Sequence, residues 1–313
     1  MSTLFPHLFK PLKLRHKTLK HRLNFGAHTA NMAEDGLPGP RHLAYYTERA
    51  RGGAAMIVCE AIPVHGTGVL TRGNFRHDDD GIIPHFRKIT DACHEYGTVM
   101  IHQLYHVGQH GDFDNSYEPN WSPSGLPSYH DSDGSHAMSE AQIEELIEGF
   151  VQAARRAKES GFDGVEVMGG YHAILEQFWT PWSNRRDDHW GGTLENRTRF
   201  SREVLERIRN CVGDDFIIGL AVSCDPETDV ALSVEELQEI VALHDRQGLM
   251  DYVSCGSGSY FDFYKIIPTF LYADKLGPPF AEALKQVCHN AVVQSESHIR
   301  TPENANTVVG SGQ

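Results

Sequence analysis

Short apolar segments alternate with segments of helical periodicity along almost the whole chain, and this alternation limits the possible folds more than any other feature. Seven segments have the length and composition of buried strands, and each precedes a predicted helix: 22–27, 54–60, 98–104, 163–168, 216–223, 252–255 and 291–294. Continuous alternation builds a parallel sheet, because each intervening helix returns the chain to the same edge. Such a sheet is either open with helices on both faces or closed into an eight-stranded barrel.

The predicted helices carry their own start and stop signals. Ser139 and Gln142 have the spacing of a capping box, and apolar residues then recur on one helical face until Gly161. Ser233 and Glu236 repeat this pattern. The first apolar face contains Ile143, Ile147, Phe150, Ala154 and Ala157, and the inward-facing residues of the second helix are Leu237, Ile240, Val241 and His244. The alternation is therefore more than a count of apolar runs.

A barrel of the TIM (β/α)8 type is favoured over the open sheet. The sequence contains no GxGxxG turn, which removes the best signal of a dinucleotide-binding open sheet. Because the sequence stops at residue 313, we expect the eighth strand–helix unit to be missing at the C-terminus. We therefore expect an α/β fold with one barrel domain over residues 1–313. The segment at about 111–136 is predicted to form a lid or hairpin over the barrel mouth.

Composition excludes several classes of function. A formal charge of -14 argues against binding to nucleic acid or to an anionic membrane. The sequence shows neither a signal peptide nor an apolar run long enough to span a bilayer, so a cytoplasmic protein is predicted. The six cysteines form no CxxC pair, which indicates reduced thiols, mostly in the core, and no zinc or iron–sulfur site. The absence of GxSxG, P-loop and HExxH motifs argues against hydrolases and kinases.

A long loop follows the fourth strand candidate. Residues 169–190 are rich in aromatic and charged side chains, and loops at the carboxyl ends of parallel strands are where α/β proteins keep their chemistry. The alternative is a plain connector, although so long a segment usually has a function. Tyr171 or His172 could donate a proton, or either could be a packing residue.

Three histidines lie four residues apart at His102, His106 and His110, a spacing that would suit a metal on a helix. A strand is predicted here, and strand geometry would scatter the three side chains, so no metal site is expected. Gln103 could offer a donor and an acceptor to a heterocycle, or its amide could be satisfied inside the barrel.

Small or uncharged residues stand at the ends of several strand candidates. They belong to the segments Ala27-His28-Thr29, Cys59-Glu60-Ala61 and Met168-Gly169-Gly170-Tyr171-His172. A mouth with this lining suits a flat, neutral aromatic cofactor better than a carboxylate-rich metal site.

The stretch NRRDDHWGG at 184–192, followed by ENRTRF at 195–200, resembles the NxRxDxxGGxxxNRxRF signature of the old yellow enzyme family of FMN-dependent barrels, the NADH:flavin oxidoreductases and NADH oxidases. The preceding Gln177-Phe178, the opening segment 8–22 and RTPE at 300–303 are also similar to that family. The closest likeness is to the N-terminal FMN barrel of the branch with trimethylamine dehydrogenase and dienoyl-CoA reductase.

The resemblance implies a set of residues that bind FMN. Those under or beside the flavin would be Gly26, Ala27, His28, Thr29 and Ala61, with Gln103 bonding the pyrimidine edge and His298 placed where an arginine commonly approaches the phosphate. Thr29 stands where trimethylamine dehydrogenase has its flavin-linking cysteine, so noncovalent FMN is expected. Members of this branch carry an iron–sulfur site beyond the barrel, and none is expected within this chain.

Other positions depart from the family pattern. Ala221 replaces the arginine beside the flavin N1, and Met168, Tyr171 and Ala173 occupy the positions of the usual histidine or asparagine pair and tyrosine proton donor. Together with the expected loss of the eighth strand, these departures suggest a fragment of a longer enzyme or a decayed copy with weak FMN binding.

Two hypotheses about function remain at this point. In the first, the chain is an FMN-dependent oxidoreductase that moves hydride between NAD(P)H or an N-methylated amine and flavin, then to an acceptor. Tyr171 and His172 would contact a small-molecule substrate, Trp179 and Trp182 could wall a cationic methylamine, and a homo-oligomer is possible. In the second, a noncatalytic or decayed barrel acts as a scaffold that binds a ligand or partner.

Overall fold

The computed structural model describes residues 4–76, 79–128 and 134–312. Its central feature is a sheet of seven parallel strands whose spatial order follows the sequence. The strands are β1 (Asn24–Phe25), β2 (Met56–Pro63), β3 (Val99–Tyr105), β4 (Gly164–Met168), β5 (Ile217–Cys224), β6 (Tyr252–Ser257) and β7 (Val292–Ser295). All seven strand predictions are confirmed.

Seven helices follow the strands and cover the outside of the sheet. They are α1 (Pro40–Arg51), α2 (Ile83–His94), α3 (Glu140–Glu159), α4 (Arg199–Val212), α5 (Val234–Arg246), α6 (Pro278–Lys285) and α7 (Pro302–Ser311). Ser139 and Ser233 cap α3 and α5 as their sequences indicate, each with a reciprocal bond from the residue three positions on. Shorter helices occupy Phe113–Ser116, Ile174–Trp179, Leu194–Arg197 and Phe263–Ile266.

The interior of the curled sheet is closed at its amino-terminal end by apolar side chains. An antiparallel pair, Leu12–Leu14 with Lys17–Leu19, places Leu14 and Leu19 against the starts of the strands. Their partners in this cluster are Ala55, Met56, Val58, Val99, Ile101, Ile217 and Tyr252. The other end, where the strands finish, is the barrel mouth, and all the loops that carry candidate site residues meet there.

The two edge strands, β1 and β7, face each other without being paired in the sheet. The Asn24 side chain donates to Gln294 Oε1 across this gap at 3.1 Å. A cavity of about 730 Å³ lies beside it, lined by both strands, by the amino-terminal strand pair and by α7. The described chain is thus a TIM-barrel fold with seven of the strands in place, as the sequence predicts.

The excursion at 111–136 does not form the predicted hairpin. Its two short strands, Asn120–Ser122 and Ser135–Ala137, pair in parallel, whereas the strands of a hairpin are antiparallel. Part of that prediction, residues 129–133, lies outside the described residues.

No helix in the described ranges is long and apolar enough to cross a membrane.

Candidate active site at the barrel mouth

The segment after β1 is anchored by a buried glutamate of β2. Glu60 Oε2 accepts from the backbone N–H of Ala30 at 2.9 Å, and Glu60 Oε1 accepts from the Tyr46 hydroxyl at 3.0 Å. Glu60 holds this segment from the side of α1, where Tyr46 lies, while its neighbour Ala61 packs with Tyr105 and Met168 at the carboxyl ends of the next strands. The predicted FMN-contacting residues Gly26, Ala27, His28 and Thr29 therefore lie on a fixed path, half-buried at its start and exposed at its end.

His28 does not point into the barrel. Its ring bonds the Tyr45 hydroxyl of α1 at 3.0 Å, and the guanidinium of Arg49 stacks 3.2 Å from the Tyr45 ring centre. The His28 side chain is thus held against α1.

Gln103 of β3 is held by a carboxylate inside the barrel. Its Nε2 donates to Glu166 Oε1 of β4 at 2.8 Å, and the Tyr252 hydroxyl of β6 donates to Glu166 Oε2 at 2.9 Å. No described residue donates to the other amide atom, Gln103 Oε1, which stays accessible. The interpretation that the amide is satisfied inside the barrel is confirmed for its donor, and the contact of its acceptor with a heterocycle stays a prediction.

Tyr252 reaches Glu166 by crossing over a glycine. A Cβ atom on Gly219 of β5 would lie 2.2 Å from Tyr252 Cζ and 2.6 Å from its hydroxyl oxygen. Gly219 lies between the two residues in the sheet, since it is in register with Glu166 on one side and with Tyr252 on the other. Only a residue without a side chain at this position leaves room for the hydrogen bond between Tyr252 and Glu166.

A second carboxylate lies near the first. Glu296, just after β7, accepts from Gln294 Nε2 at 2.6 Å and lies 3.2 Å from the position of a Cβ on Gly26. Burial, and then the charge of Glu296, raise the pKa of Glu166 to about 8. We call Gln103, Glu166, Tyr252, Gln294 and Glu296 the polar layer of the barrel.

Tyr171 extends over the polar layer from the end of β4. Its backbone is left-handed, with φ of 61°, and its N–H donates to Ser223 Oγ at 2.7 Å. This conformation brings the phenol oxygen within 2.6 Å of the position of a Cβ on Gly256 of β6. Burial and the nearby Glu296 and Glu166 raise the pKa of the Tyr171 hydroxyl, so it stays protonated at neutral pH.

His172 lies behind Tyr171 and is fully buried. Its Nδ1 bonds His110 Nε2 at 2.8 Å, and its Nε2 bonds Ser183 Oγ at 3.2 Å. Burial lowers the pKa of His172 to about 3, so the ring is neutral. Both ring nitrogens are occupied within the protein, which favours Tyr171 over His172 as the residue that meets a ligand.

The three evenly spaced histidines are scattered, as strand geometry requires. His102 packs against Phe162 on the helix side of β3, His106 bonds Thr67 Oγ1 at 2.9 Å, and His110 contacts His172. No group of three or more metal-binding side chains occurs in the described ranges.

The signature stretch at 184–200 builds the scaffold and takes no part in the mouth. Asn184 Nδ2 donates to the carbonyls of Phe178 and Trp190, each at 2.8 Å, which closes the loop. Arg186 pairs with Asp188 and donates to the carbonyl of Pro123 in the excursion and to that of Met138 just after it, so it ties these segments to the loop. The motif at 184–200, which carries the strongest family resemblance in the sequence, therefore stabilises the fold and does not line the mouth.

Trp179, Trp182 and His298 lie in three different environments. The expectation that Trp179 walls a substrate site is wrong, because its indole is fully buried and donates to Ser201 Oγ of α4 at 2.9 Å. Trp182 packs against His172 and Phe261 nearer the mouth. His298, the predicted phosphate contact, follows β7 in a left-handed conformation with φ of 61°, and its Nδ1 lies 3.0 Å from the Ala273 carbonyl.

Sequence reasoning missed Glu166, Tyr252, Glu296 and Gly219. A signal was present for the first of them: Glu166 is the one charged residue in the apolar strand GVEVM, and a charge in a buried strand requires a partner. The partners lie 63 and 86 residues away along the chain, and only the folded barrel brings them together.

The chain matches the NADH:flavin oxidoreductase / NADH oxidase family over residues 7–311. It is 32% identical to the N,N-dimethylglycine/sarcosine dehydrogenase of Chromohalobacter salexigens, over 98% of this chain and 45% of that protein. It is 30% identical to the NADPH dehydrogenase of Bacillus subtilis, over 80% of this chain and 73% of that protein.

Solved structures agree with these matches. Histamine dehydrogenase from Rhizobium sp. 4-9 has a TM-score of 0.89 and 26% identity, covering 98% of this chain and 45% of that chain. 2-Naphthoyl-CoA reductase in complex with 2-naphthoyl-CoA has a TM-score of 0.91 and 25% identity, covering 98% and 49% of the two chains. The chain spans about half the length, or less, of the first curated relatives it matches.

Proposed function

The chain belongs to the NADH:flavin oxidoreductase / NADH oxidase family, and on that premise we propose that it is an FMN-dependent oxidoreductase. Residues of the barrel mouth would hold the cofactor noncovalently, and bound FMN would supply the chemistry by which two electrons move from NAD(P)H or an N-methylated amine to an acceptor. The observation that carries this proposal is the free Gln103 Oε1 at the mouth, beside the small residues of β1 and β2.

The residues of the mouth fit a flat heterocycle on one side. Gly26, Ala27 and the His28 backbone form an open path, Ala61 leaves space above β2, and Gln103 offers an acceptor for a ring N–H. Bound FMN would supply the two-electron chemistry. Thr29 has no thiol for a covalent link, which supports noncovalent binding.

Tyr171 is the proposed proton donor. Its phenol is buried with a raised pKa and lies over the polar layer, and its hydroxyl has no hydrogen-bond partner among the described residues. A protonated hydroxyl without a partner is free to donate to a substrate atom that gains electron density. His172 would act as a positioning residue, because the His110–His172 pair packs beneath the same turn.

An amine substrate is supported by charge. Glu296 places a carboxylate beneath the mouth beside Glu166, and a cationic or methylated ammonium group would be attracted to it. The relative from C. salexigens is named for N,N-dimethylglycine and sarcosine. We propose small N-methylated amines as the substrate class, with Trp182 as an aromatic contact. A cytoplasmic location, where NAD(P)H is present and thiols stay reduced, accords with the six free cysteines.

The experiment is a titration of the purified chain with FMN, followed by addition of NADPH, NADH or sarcosine without oxygen. We expect FMN to raise the melting temperature, since a ligand that binds only the native state adds about 2.7 kcal/mol at a hundred times its Kd. We also expect one of the three compounds to bleach the flavin absorbance. A Gln103→Ala variant is the matched control and should bind FMN about tenfold more weakly.

A second candidate function, a noncatalytic ligand-binding barrel, is favoured by one observation. Ala221 provides no cation beside the mouth, and Glu296 places a carboxylate beside Gly26, where an anionic phosphate would be repelled. No thermal stabilisation by FMN and no bleaching would contradict the oxidoreductase proposal and support this scaffold.

A further inference from the structure

We propose that Glu166 is a positioning residue that fixes the amide of Gln103, so that the barrel mouth presents a hydrogen-bond acceptor and selects a cofactor ring with an N–H donor at that point. This inference rests on the proposed function for the identity of the ring. Its structural part concerns only residues of this chain.

The first step is that Glu166 is fully engaged by donors. It is 1% exposed, and its two oxygens accept from Gln103 Nε2 at 2.8 Å and from the Tyr252 hydroxyl at 2.9 Å. Tyr252 is equally buried, so neither donor can be replaced by bulk water. The carboxyl group of Glu166 thus accepts hydrogen bonds from β3 and from β6, two strands that are not adjacent in the sheet.

The second step is that this bond leaves the Gln103 amide with one orientation. When Glu166 is ionised, above its pKa of about 8, its carboxylate only accepts hydrogen bonds, so the amide must turn its NH2 group toward Glu166. The opposite orientation would bring Gln103 Oε1 and Glu166 Oε1, two acceptors, to 2.8 Å inside the protein. The atom left for the mouth is therefore Oε1.

The third step is that Tyr252 and Gly219 keep Glu166 in place. Because a Cβ on Gly219 would overlap the Tyr252 ring, the glycine is required for Tyr252 to reach Glu166 across the barrel. The arrangement spans β3, β4, β5 and β6 and is set by the sheet register. Gln103 is thus positioned by rigid elements and not by a loop.

The chemical consequence concerns the ring that can bind. The pyrimidine edge of an isoalloxazine carries an N–H between two carbonyl groups, and an acceptor at the mouth pairs with the N–H. A freely turning amide would accept either group. The fixed Oε1 should therefore reject a flavin that is methylated at N3. Oε1 would lose the N–H that donates to it, and the methyl group would take up the space of that hydrogen bond.

The test compares Kd values for FMN and 3-methyl-FMN at pH 9, where Glu166 is ionised, in the wild type, Glu166→Gln and Glu176→Gln. Glu176 is a matched control, since it is also buried and its Oε2 accepts from the His172 N–H at 2.7 Å, but it does not touch Gln103. We expect wild type and Glu176→Gln to prefer FMN by at least about tenfold. In Glu166→Gln, whose amide can satisfy either orientation of Gln103, FMN should bind more weakly and the preference should fall to about threefold or less.

A second readout needs no flavin. Proteins labelled with ¹⁵N at glutamine amides are compared at pH 9, where Glu166 is ionised given its pKa of about 8. A Gln103→Leu variant identifies the Gln103 resonance. Bonds to a charged acceptor are shorter and stronger, so the Nε2 protons should move upfield in Glu166→Gln and stay unchanged in Glu176→Gln.

The outcomes separate the two proposals. If wild type binds no FMN while the Gln103 resonance responds to Glu166→Gln, the proposed function fails and the positioning role stands. An unchanged Gln103 resonance in a folded Glu166→Gln protein overturns the positioning role. Full preference for FMN over 3-methyl-FMN in that variant overturns it as well.

Discussion

The half of the barrel mouth formed by β1 to β3 differs in chemistry from the half formed by β4 to β7. The first half offers small residues, backbone and one free amide oxygen. The second half offers a phenol, two buried or half-buried carboxyl groups and Ala221 where the resemblance leads one to expect an arginine. A flat neutral ring suits the first half, whereas an anion is disfavoured by the second.

The contrast teaches that scaffold and reaction are separable in this fold. Glu60 and Asn184 hold the loops of both halves through buried hydrogen bonds that any ligand would leave intact. The side chains of the second half can then vary without loss of the barrel. Four substitutions test how far the two halves are independent.

The largest expected effect is on proton donation by the second half. The acceptor is probed with an α,β-unsaturated ketone, 2-cyclohexen-1-one, whose reduction needs both a hydride and a proton. In Tyr171→Phe, its reduction by FMN-loaded protein should fall about a hundredfold, the usual contribution of a positioned acid. Reduction of the flavin by NADPH should change less than about twofold, because the first half is untouched. Stopped-flow absorbance measures both half-reactions. Tyr264→Phe, at an exposed phenol, is the control, and an equal loss in both half-reactions would show that Tyr171 serves binding and not proton transfer.

The next effect is on stability through the polar layer. Gly219→Ala places a methyl group inside the Tyr252 ring volume and breaks the bond to Glu166, so the free energy of unfolding should fall by about 2 kcal/mol. Urea denaturation measures it. Gly66→Ala is the control, since its Cβ would contact nothing within 4 Å. Equal stability of the two variants would mean that Tyr252 does not need to cross β5.

A third change makes the second half resemble the family pattern. Ala221→Arg adds a cation next to Met168 in register and above the carboxyl groups, so FMN should bind about tenfold more tightly and its midpoint potential should rise. Fluorescence titration and spectroelectrochemistry measure the two quantities. Ala221→Gln has similar length and no charge. If glutamine improves binding as much as arginine, charge is not what the second half lacks.

The smallest expected effect is on the pH dependence of the unfolding free energy, and it comes from Glu176, which is buried beneath the second half. Burial raises the pKa of Glu176 to about 8 from its ordinary 4.5, so the folded protein holds a proton that the unfolded chain has released. This contribution is fully present below pH 4.5 and is lost as the pH rises toward 8. Glu176→Gln should therefore reduce the fall in unfolding free energy between pH 6.5 and 7.5 by about 1 kcal/mol. Exposed Glu48→Gln should leave that fall unchanged, and a steeper fall in Glu176→Gln would contradict the assignment.

Most of the fold could be predicted from the sequence because its signals are local. Apolar runs, capping residues such as Ser139 and Ser233, and helix-ending glycines act within a few positions, so all seven strand–helix units were found. The pairing inside the excursion could not be predicted, since Asn120 and Ser135 meet in a direction that neither flanking sequence specifies.

The candidate site was only partly predictable. The resemblance drew attention to Gln103 and Tyr171, but which amide atom faces a ligand and which way the phenol turns depend on residues far along the chain. The prediction that Trp179 contacts a substrate was wrong. Trp179 ends the short helix Ile174–Trp179, and the periodicity of so short a helix does not reveal which of its sides packs against α4.

The sequence by itself determined the parallel barrel and the family, because periodicity, capping and the 184–200 motif are local patterns. The tertiary structure alone decided that Glu166, Tyr252 and Gly219 converge and leave Gln103 Oε1 free, because sheet register sets contacts between strands that the sequence separates by many residues. Strand alternation places each side chain on a face, and only closure of the sheet determines what lies opposite.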